Sequence, residues 1–298
     1  MEGLCETTIA NYERYIRLYI GPFMGQMKMR EITAATIQTF YNWLAADSAA
    51  GQKRELNRCT IERISGLTSR IFKVALEMGI VEDTPFKKTI LRIRAHRGGH
   101  HKALPDEEVN RIKREIPALR DERQRLYMAL LVYTGMRREE VLGFGWENIH
   151  LEEGYGEVKR VVVYPNNGRA VVREGAKTEA SERTFLIPDA LREILLPHRR
   201  EHGYLIHGET EDSPASYSTL QRTYYAAFKA LGIYRKFNNH DWRATFGTQL
   251  KEQGMSSALV ADLLGHSDTR MVETVYARKR QEGILKHRQE VESLNAFR

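Results

Sequence analysis

Apolar residues recur at three- and four-residue intervals through most of the chain, and that spacing predicts a largely helical protein. From Thr8 to Ile20 the residues Ile9, Tyr12, Ile16 and Tyr19 form one stripe, opened by Thr8 as a cap and closed by Gly21-Pro22. A second helix begins at Thr33 and carries Ile37, Phe40, Tyr41 and Leu44. A third, Thr60 to Met78, carries Ile61, Ile64, Leu67, Ile71, Phe72 and Val74 and stops at Gly79. Together these predict a small helical bundle.

Past Pro85 the periodicity is lost. The stretch FKKTILRIRAHRGGHHKALP contains Gly98-Gly99 and the cations Arg92, Arg94, Arg97 and Lys102, the composition expected of a flexible basic linker whose cations can track phosphates. This reading divides the chain into a helical domain 1–92, a linker 93–103 and a second domain 104–298. The second domain opens with helices over Asp106–Ile116 and Glu122–Tyr133; the latter contains LYMALLVY, apolar all round as in a buried helix. The Val-rich run VKRVVVYPNNGRAVVREGAKTEASERTFLIP then changes to strand character, and Asn167-Gly168 is a strong hairpin signal, so about three antiparallel strands are expected up to Ile187. Helical spacing resumes near 189–200, 217–231, 241–253 and 256–264. The expected fold class is mostly α (α+β), a helical N-terminal domain followed by a mixed domain with a small three-stranded antiparallel sheet.

Composition narrows the function classes. The 298 residues are 42% hydrophobic and 29% charged, and no stretch approaches the roughly 18 uncharged apolar residues of a membrane span. The N-terminus MEGLCETTIANYERY lacks the basic start and apolar core of a secretory signal, so a cytoplasmic protein is expected. Cys5 and Cys59 make no disulfide framework and read as reduced, packed thiols. His96, His100, His101, His198, His202 and His207 have no Cys or carboxylate at ligand spacing, and no metal site is expected. The net charge of +7 favours a polyanionic partner. Residues 1–103 hold 16 Lys+Arg against 10 Asp+Glu, leaving 46 − 16 = 30 against 39 − 10 = 29 for the rest, so the first third carries +6 of the +7. Such a distribution places the grip on a nucleic acid there.

Four separated segments carry the candidate chemistry: TGMRREEV with Arg137 and Glu140, GAKTEASERTFLIP with Lys177, HDWRATF with His240 and Arg243, and LLGHSDTRMVETVYAR with His266 and Tyr276. In order and spacing they resemble the four signature regions of the tyrosine site-specific recombinase (phage integrase) family. The resemblance covers roughly residues 104–280 by motif and extends to the helical N-terminal segment by pattern alone. It implies that Arg137, Lys177, His240, Arg243, His266 and Tyr276 are catalytic and that Glu140 supports them. Tyr276 follows His266 by ten residues (276 − 266) as the nucleophile does in the family, whereas Tyr224 and Tyr225 precede the His-x-x-Arg pair. Trp242 departs from the leucine usual at its place, a change expected to alter packing and not chemistry.

The chemistry gives these residue types a reason. A strand broken without water or metal needs a nucleophile that stores the phosphodiester bond covalently, and a phenol with a pKa of about 10 is also a fair leaving group, so the step can be reversed. Charge builds on the nonbridging oxygens during attack, and the planar guanidiniums of Arg137 and Arg243 suit it. His240 and His266 add hydrogen bonds or proton transfer. Lys177, in a turn between two strands, reaches the leaving 5′ oxygen as general acid. Glu140 does not suit a phosphate and is expected to hold Arg137 or its helix. No cofactor is implied.

The resemblance further implies a clamp on double-stranded DNA, and a homotetramer holding two duplexes through exchange of a C-terminal helix, with accessory DNA-bending proteins in some systems. The tail ARKRQEGILKHRQEVESLNAFR fits such a helix, with Ile284, Leu285, Val291, Leu294 and Phe297 partly on one side. ANYERYIRLYIGPFMG followed by REITAATIQTFYNWL resembles the core-binding start of phage and conjugative-transposon integrases, which usually carry an arm-binding domain upstream. The sequence starts without one, so it reads as a short member of that group or as part of a longer chain. Two alternatives stand beside a mobile-element integrase: a chromosome dimer-resolving recombinase of the Xer type, and a catalytically silent DNA-binding protein of the same fold. A nucleoid-associated protein is expected in each case.

Overall fold

In the computed structural model, which describes residues 5–46, 56–86, 92–95, 103–164, 169–174, 183–235, 237–265, 269 and 272–273, the first helix does not stop at Gly21-Pro22. Helix α1 (Glu6–Tyr15) widens into a π-helical turn over Ile16–Ile20 and resumes as α2 (Gly21–Met24). The Gly21 N–H donates to the Ile16 carbonyl, five residues back. That wider turn places Pro22 in the first turn of a new α segment, where its missing N–H has no intrahelical duty. Glycine suits the junction, since a Cβ on Gly21 would lie 3.0 Å from the Ile16 carbonyl oxygen. The helix also begins earlier than its apolar stripe, at Glu6 behind Cys5.

The chain packs as two compact units, Met1–His100 and His101–Arg298. In the first, α3 (Ala34–Ala45) starts on Thr33, whose hydroxyl accepts from the Thr36 N–H while the Thr36 hydroxyl accepts from the Thr33 N–H. Asn57 caps α4 (Arg58–Glu77). Ile37, Phe40 and Leu44 of α3 share one core with Ile61, Ile64 and Phe72 of α4 and with Tyr19 and Ile20. Val74 falls outside it and is 47% exposed, because two residues past Phe72 is about 200° around the helix. Ile93 and Ala95 rest on the same core, and Gln38 holds both the N–H and the carbonyl of Arg92 at 2.9 Å. The alternation of these residues with exposed Arg92 and Arg94 is a period-two pattern that buries one side of an extended segment. Residues 93–95, read as the start of a linker, therefore pack on the helical unit.

In the second unit, α5 (Asp106–Glu115) precedes α6 (Glu122–Thr134), whose residues from Leu126 to Val132 are all buried, as the unbroken apolar run predicts. A short α7 (Arg138–Gly143) follows. Strands β1 (Ile149–His150), β2 (Tyr155–Val158) and β5 (Arg183–Leu186) form the three-stranded antiparallel sheet in the order β1-β2-β5. β3 (Arg160–Val163) and β4 (Val171–Glu174) form a separate ribbon, with Val163 opposite Val171. Asn167-Gly168, which predicts that hairpin, lies outside the described residues. Helices α8 (Asp189–Leu195), α9 (Tyr217–Ala230), α10 (Asn239–Glu252) and α11 (Ser257–Leu264) follow among the described residues. Buried α6 packs against α8, α9 and α10, while α11 packs against both α10 and β5. Among the described residues no helix is long and apolar enough to cross a membrane.

Trp242 anchors α10 to this core. It is 1% exposed, meets Phe237 edge-on at 4.9 Å and Phe228 at 6.1 Å, and its indole N–H donates to the Tyr224 hydroxyl at 3.1 Å. Trp242→Leu removes ring volume and that hydrogen bond together. We expect it to lower stability by about 2 kcal/mol, measured as a shift in the urea midpoint.

Candidate active site

The turn after α6 is built to present Arg137. The Thr134 hydroxyl donates to the Leu130 carbonyl at 2.6 Å and accepts from the Met136 N–H at 3.2 Å. Gly135 turns the chain in the left-handed region at φ 60°, where a Cβ would also stand 3.0 Å from the Phe246 ring. Arg137 thus becomes the extended residue that caps α7. Glu140 closes the first turn from inside: one carboxylate oxygen accepts the Arg137 N–H at 2.7 Å and the other its Nη1 at 2.6 Å.

Glu140 is 3% exposed and serves more than Arg137. Arg183, on β5, donates through Nη2 to the same carboxylate at 2.8 Å, and Arg243, on α10, places Nη1 4.0 Å from it. Three guanidiniums therefore converge on one buried negative charge. Burial alone would raise the Glu140 carboxyl, but Arg183, Arg243 and Arg137 outweigh it and hold the group at about 2. Burial pushes Arg243 down to about 9, against the pull of Glu140, so it keeps its proton at neutral pH.

The same three arginines close the end of α11. Arg183 donates to the Leu263 carbonyl, Arg243 to the Leu264 carbonyl, and Arg137 through Nη2 to the Gly265 carbonyl at 3.0 Å. Arg243 also donates to the Gly135 carbonyl at 3.0 Å. The last carbonyls of a helix have no intrahelical donors and carry its negative pole. Cations meet both needs. The site is thus a node where α6, α7, α10, α11 and β5 meet on fixed positive charge.

That node makes stability acid-sensitive. Glu140 loses its charge near pH 2 in the folded protein and at about 4.5 in the unfolded chain. Its contribution is complete above about pH 5 and disappears as pH falls through 4.5 towards 2; it amounts to about 3 kcal/mol. Denaturant midpoints measured from pH 6 down to pH 3 should fall more steeply for the native chain than for Glu140→Gln.

Of the residues expected to be catalytic, Arg137, Arg243 and the supporting Glu140 come together. His240 lies in the first turn of α10, exposed, on the rim of a recess of about 250 Å³ lined also by Tyr127, Arg138, Tyr217, Tyr225 and Asn239. Lys177, His266 and Tyr276 lie outside the described residues, as do Arg97, Lys102 and the tail with Ile284, Leu285, Val291, Leu294 and Phe297. Tyr224 is buried, with its hydroxyl donating to the Phe237 carbonyl at 3.0 Å, and burial holds its phenol well above the ordinary range. Sequence reasoning missed Arg183, which shares its strand region with Arg173 and Lys159. The strand period marked it, since Arg183 and Phe185 share the buried side of β5.

Residues 102–282 match the phage integrase family, and residues 2–45 match the phage integrase N-terminal SAM-like domain. A tyrosine recombinase XerC-like protein of Caldanaerobacter subterraneus subsp. tengcongensis is 27% identical over 90% of this chain and 73% of its own length. The Tn1549 transposon integrase in complex with a circular intermediate DNA has the same fold, with a TM-score of 0.77 at 14% identity over 95% of each chain. A lambda integrase tetramer bound to a Holliday junction shares it with a TM-score of 0.58 at 21% identity, over 92% of this chain and 72% of that one. The arginine node lies inside the larger family match, and the chain belongs to the phage integrase family of tyrosine recombinases.

Proposed function

We propose that this recombinase integrates and excises a mobile element, with Tyr276 as its nucleophile. The Tyr276 oxygen attacks the scissile phosphorus as its phenol proton passes to His240 or His266, the bond from phosphorus to the 5′ oxygen breaks, and a 3′-phosphotyrosyl link forms. Lys177 gives the departing 5′ oxygen a proton, and a 5′ hydroxyl from a second strand later reverses the step. One phosphodiester replaces another, so no external energy source is needed. Arg137 and Arg243 take the nonbridging oxygens, with His240 and His266 adding hydrogen bonds or proton transfer beside them. Glu140 holds Arg137. The observation that carries the reading is the pair Arg137 and Arg243, brought from α7 and α10 onto one buried carboxylate.

Arg92, Arg94, Arg97 and Lys102 serve as phosphate contacts, on a core-binding domain that takes in the packed residues 93–95 and on the linker that leads from it to the catalytic domain 104–298. Phosphate contacts release counterions, so affinity for a DNA duplex should fall by about a thousandfold between about 50 and about 200 mM salt. A titration series in increasing salt measures this. We propose four copies on two duplexes, joined by exchange of the C-terminal helix, working in the cytoplasm on the nucleoid and assisted by DNA-bending proteins.

Sequencing DNA covalently trapped on the protein in its own cell tests the proposal. Junctions between a mobile element and its target support it. A single fixed chromosomal site would support chromosome dimer resolution instead, a reading favoured by the XerC-like relative. Absence of trapped DNA would leave a silent binding protein.

A further inference from the structure

Arg183 stands apart from the residues given a role above. Its side chain is 4% exposed, it reaches Glu140 with one terminal nitrogen and the Leu263 carbonyl with the other, and its Nε is buried without an acceptor among the described residues. Stability alone does not account for it. Three guanidiniums around one carboxylate leave a buried excess of positive charge, and well-packed apolar residues often replace buried ion pairs without loss. An arginine there fixes positions instead.

Two positions depend on it. Arg183 binds the Glu140 oxygen that also accepts the Arg137 backbone N–H, leaving the other oxygen aimed at the Arg137 side chain. It therefore sets the plane of the carboxylate that orients Arg137. Its second bond fastens β5 to the last turn of α11, two residues before Gly265, whose carbonyl accepts from Arg137. A planar fork with two terminal nitrogens makes both bonds at once, whereas a lysine ammonium on a flexible stem holds neither plane.

We propose that Arg183 is a positioning residue for recombination: by bridging Glu140 and the end of α11 it holds Arg137 in register with the chain that leads to His266 and Tyr276. The inference rests on the proposed role of Arg137 as a phosphate clamp. It predicts that loss of Arg183 slows strand cleavage by misplacing charge, with little effect on DNA affinity, because a displacement of about 1 Å in such a site lowers rates about a hundredfold.

The test is single-turnover formation of the protein–DNA adduct on a nicked duplex carrying the site recovered from trapped DNA. Arg183→Ala should cleave about a hundredfold more slowly at saturating DNA, with a Kd within about threefold of the native value. Guanidinium ion at tens of millimolar should restore the rate roughly tenfold by filling the vacated space, whereas ammonium at the same ionic strength should not. Arg183→Lys keeps the charge without the fork, should cleave at least about tenfold more slowly, and decides the matter if the alanine variant does not fold. Native rates in Arg183→Ala or Arg183→Lys would overturn the inference and leave the role of Arg137 standing. So would a slow Arg183→Ala that guanidinium does not rescue. A native chain that forms no adduct on this duplex would overturn both.

Discussion

Arg243→Ala should lower the rate of adduct formation by about three orders of magnitude while DNA binding stays within a few-fold. Arg243 is 5% exposed and pinned by the Gly135 and Leu264 carbonyls, so its guanidinium is already oriented before DNA arrives. Preorganised charge of this kind contributes most where charge develops in the transition state, and removing one such donor lowers rates by about 10²–10³. A full charge in a buried setting falls at the upper end. On the proposed reading many other phosphate contacts supply most of the DNA affinity, so binding should survive. Arg243→Lys should recover only a small part of the rate, because one ammonium cannot serve the two carbonyls and the proposed phosphate contact in the geometry of a planar fork. Single-turnover cleavage and a parallel binding titration separate the two quantities; a parallel loss in both would show that Arg243 only holds the fold.

Glu140→Ala should be the most destabilising change in the second unit, at about 3–5 kcal/mol. It leaves Arg137, Arg183 and Arg243 facing one another without the negative charge that joins them, two of them nearly buried. Chemical denaturation reads the loss directly. Glu140→Gln preserves shape and one acceptor oxygen, so it should lose less stability and should also lose the acid-dependent part described above. Because Glu140 orients Arg137, both variants should cleave slowly even at temperatures where they remain folded. A Glu140→Ala protein as stable as the native chain would mean that the arginines find other partners at no cost.

The helices were legible because their apolar residues keep one face: α3 and α4 bury Ile37, Phe40, Ile61 and Ile64 as their spacing requires. The continuous run in α6 was legible for the opposite reason, since a helix buried on every side needs no polar face. Where the reading failed, the cause was local. Gly21-Pro22 normally ends a helix, and only a π turn, which no residue pattern marks, carries the chain through it. β1 and β2 are short, and the pattern YGEV has too few apolar residues to stand out from a turn. Ile93 and Ala95 were hidden among arginines, although their alternation was present in the sequence.

The motifs single out Arg137, Glu140 and Arg243, which the fold brings together, but how they are held was not legible. Arg137 and Glu140 are three residues apart on one turn, so their pairing follows from helix geometry. Arg243 and Arg183 reach the same carboxylate from 103 and 43 residues away, distances that only the fold closes. Nor does spacing reveal that the end of α11 is the common acceptor for all three arginines. Those carbonyls, of Leu263, Leu264 and Gly265, lie one to three residues before His266 in the sequence.

The central claim, that Tyr276 carries the DNA, is tested most directly by mass spectrometry of the trapped adduct after trypsin and nuclease. The peptide over 271–278, MVETVYAR, should bear the residual nucleotide on Tyr276, and Tyr276→Phe should form no adduct while still binding DNA. A nucleotide found on Tyr225 or any other residue, or an adduct that persists in Tyr276→Phe, would contradict the account.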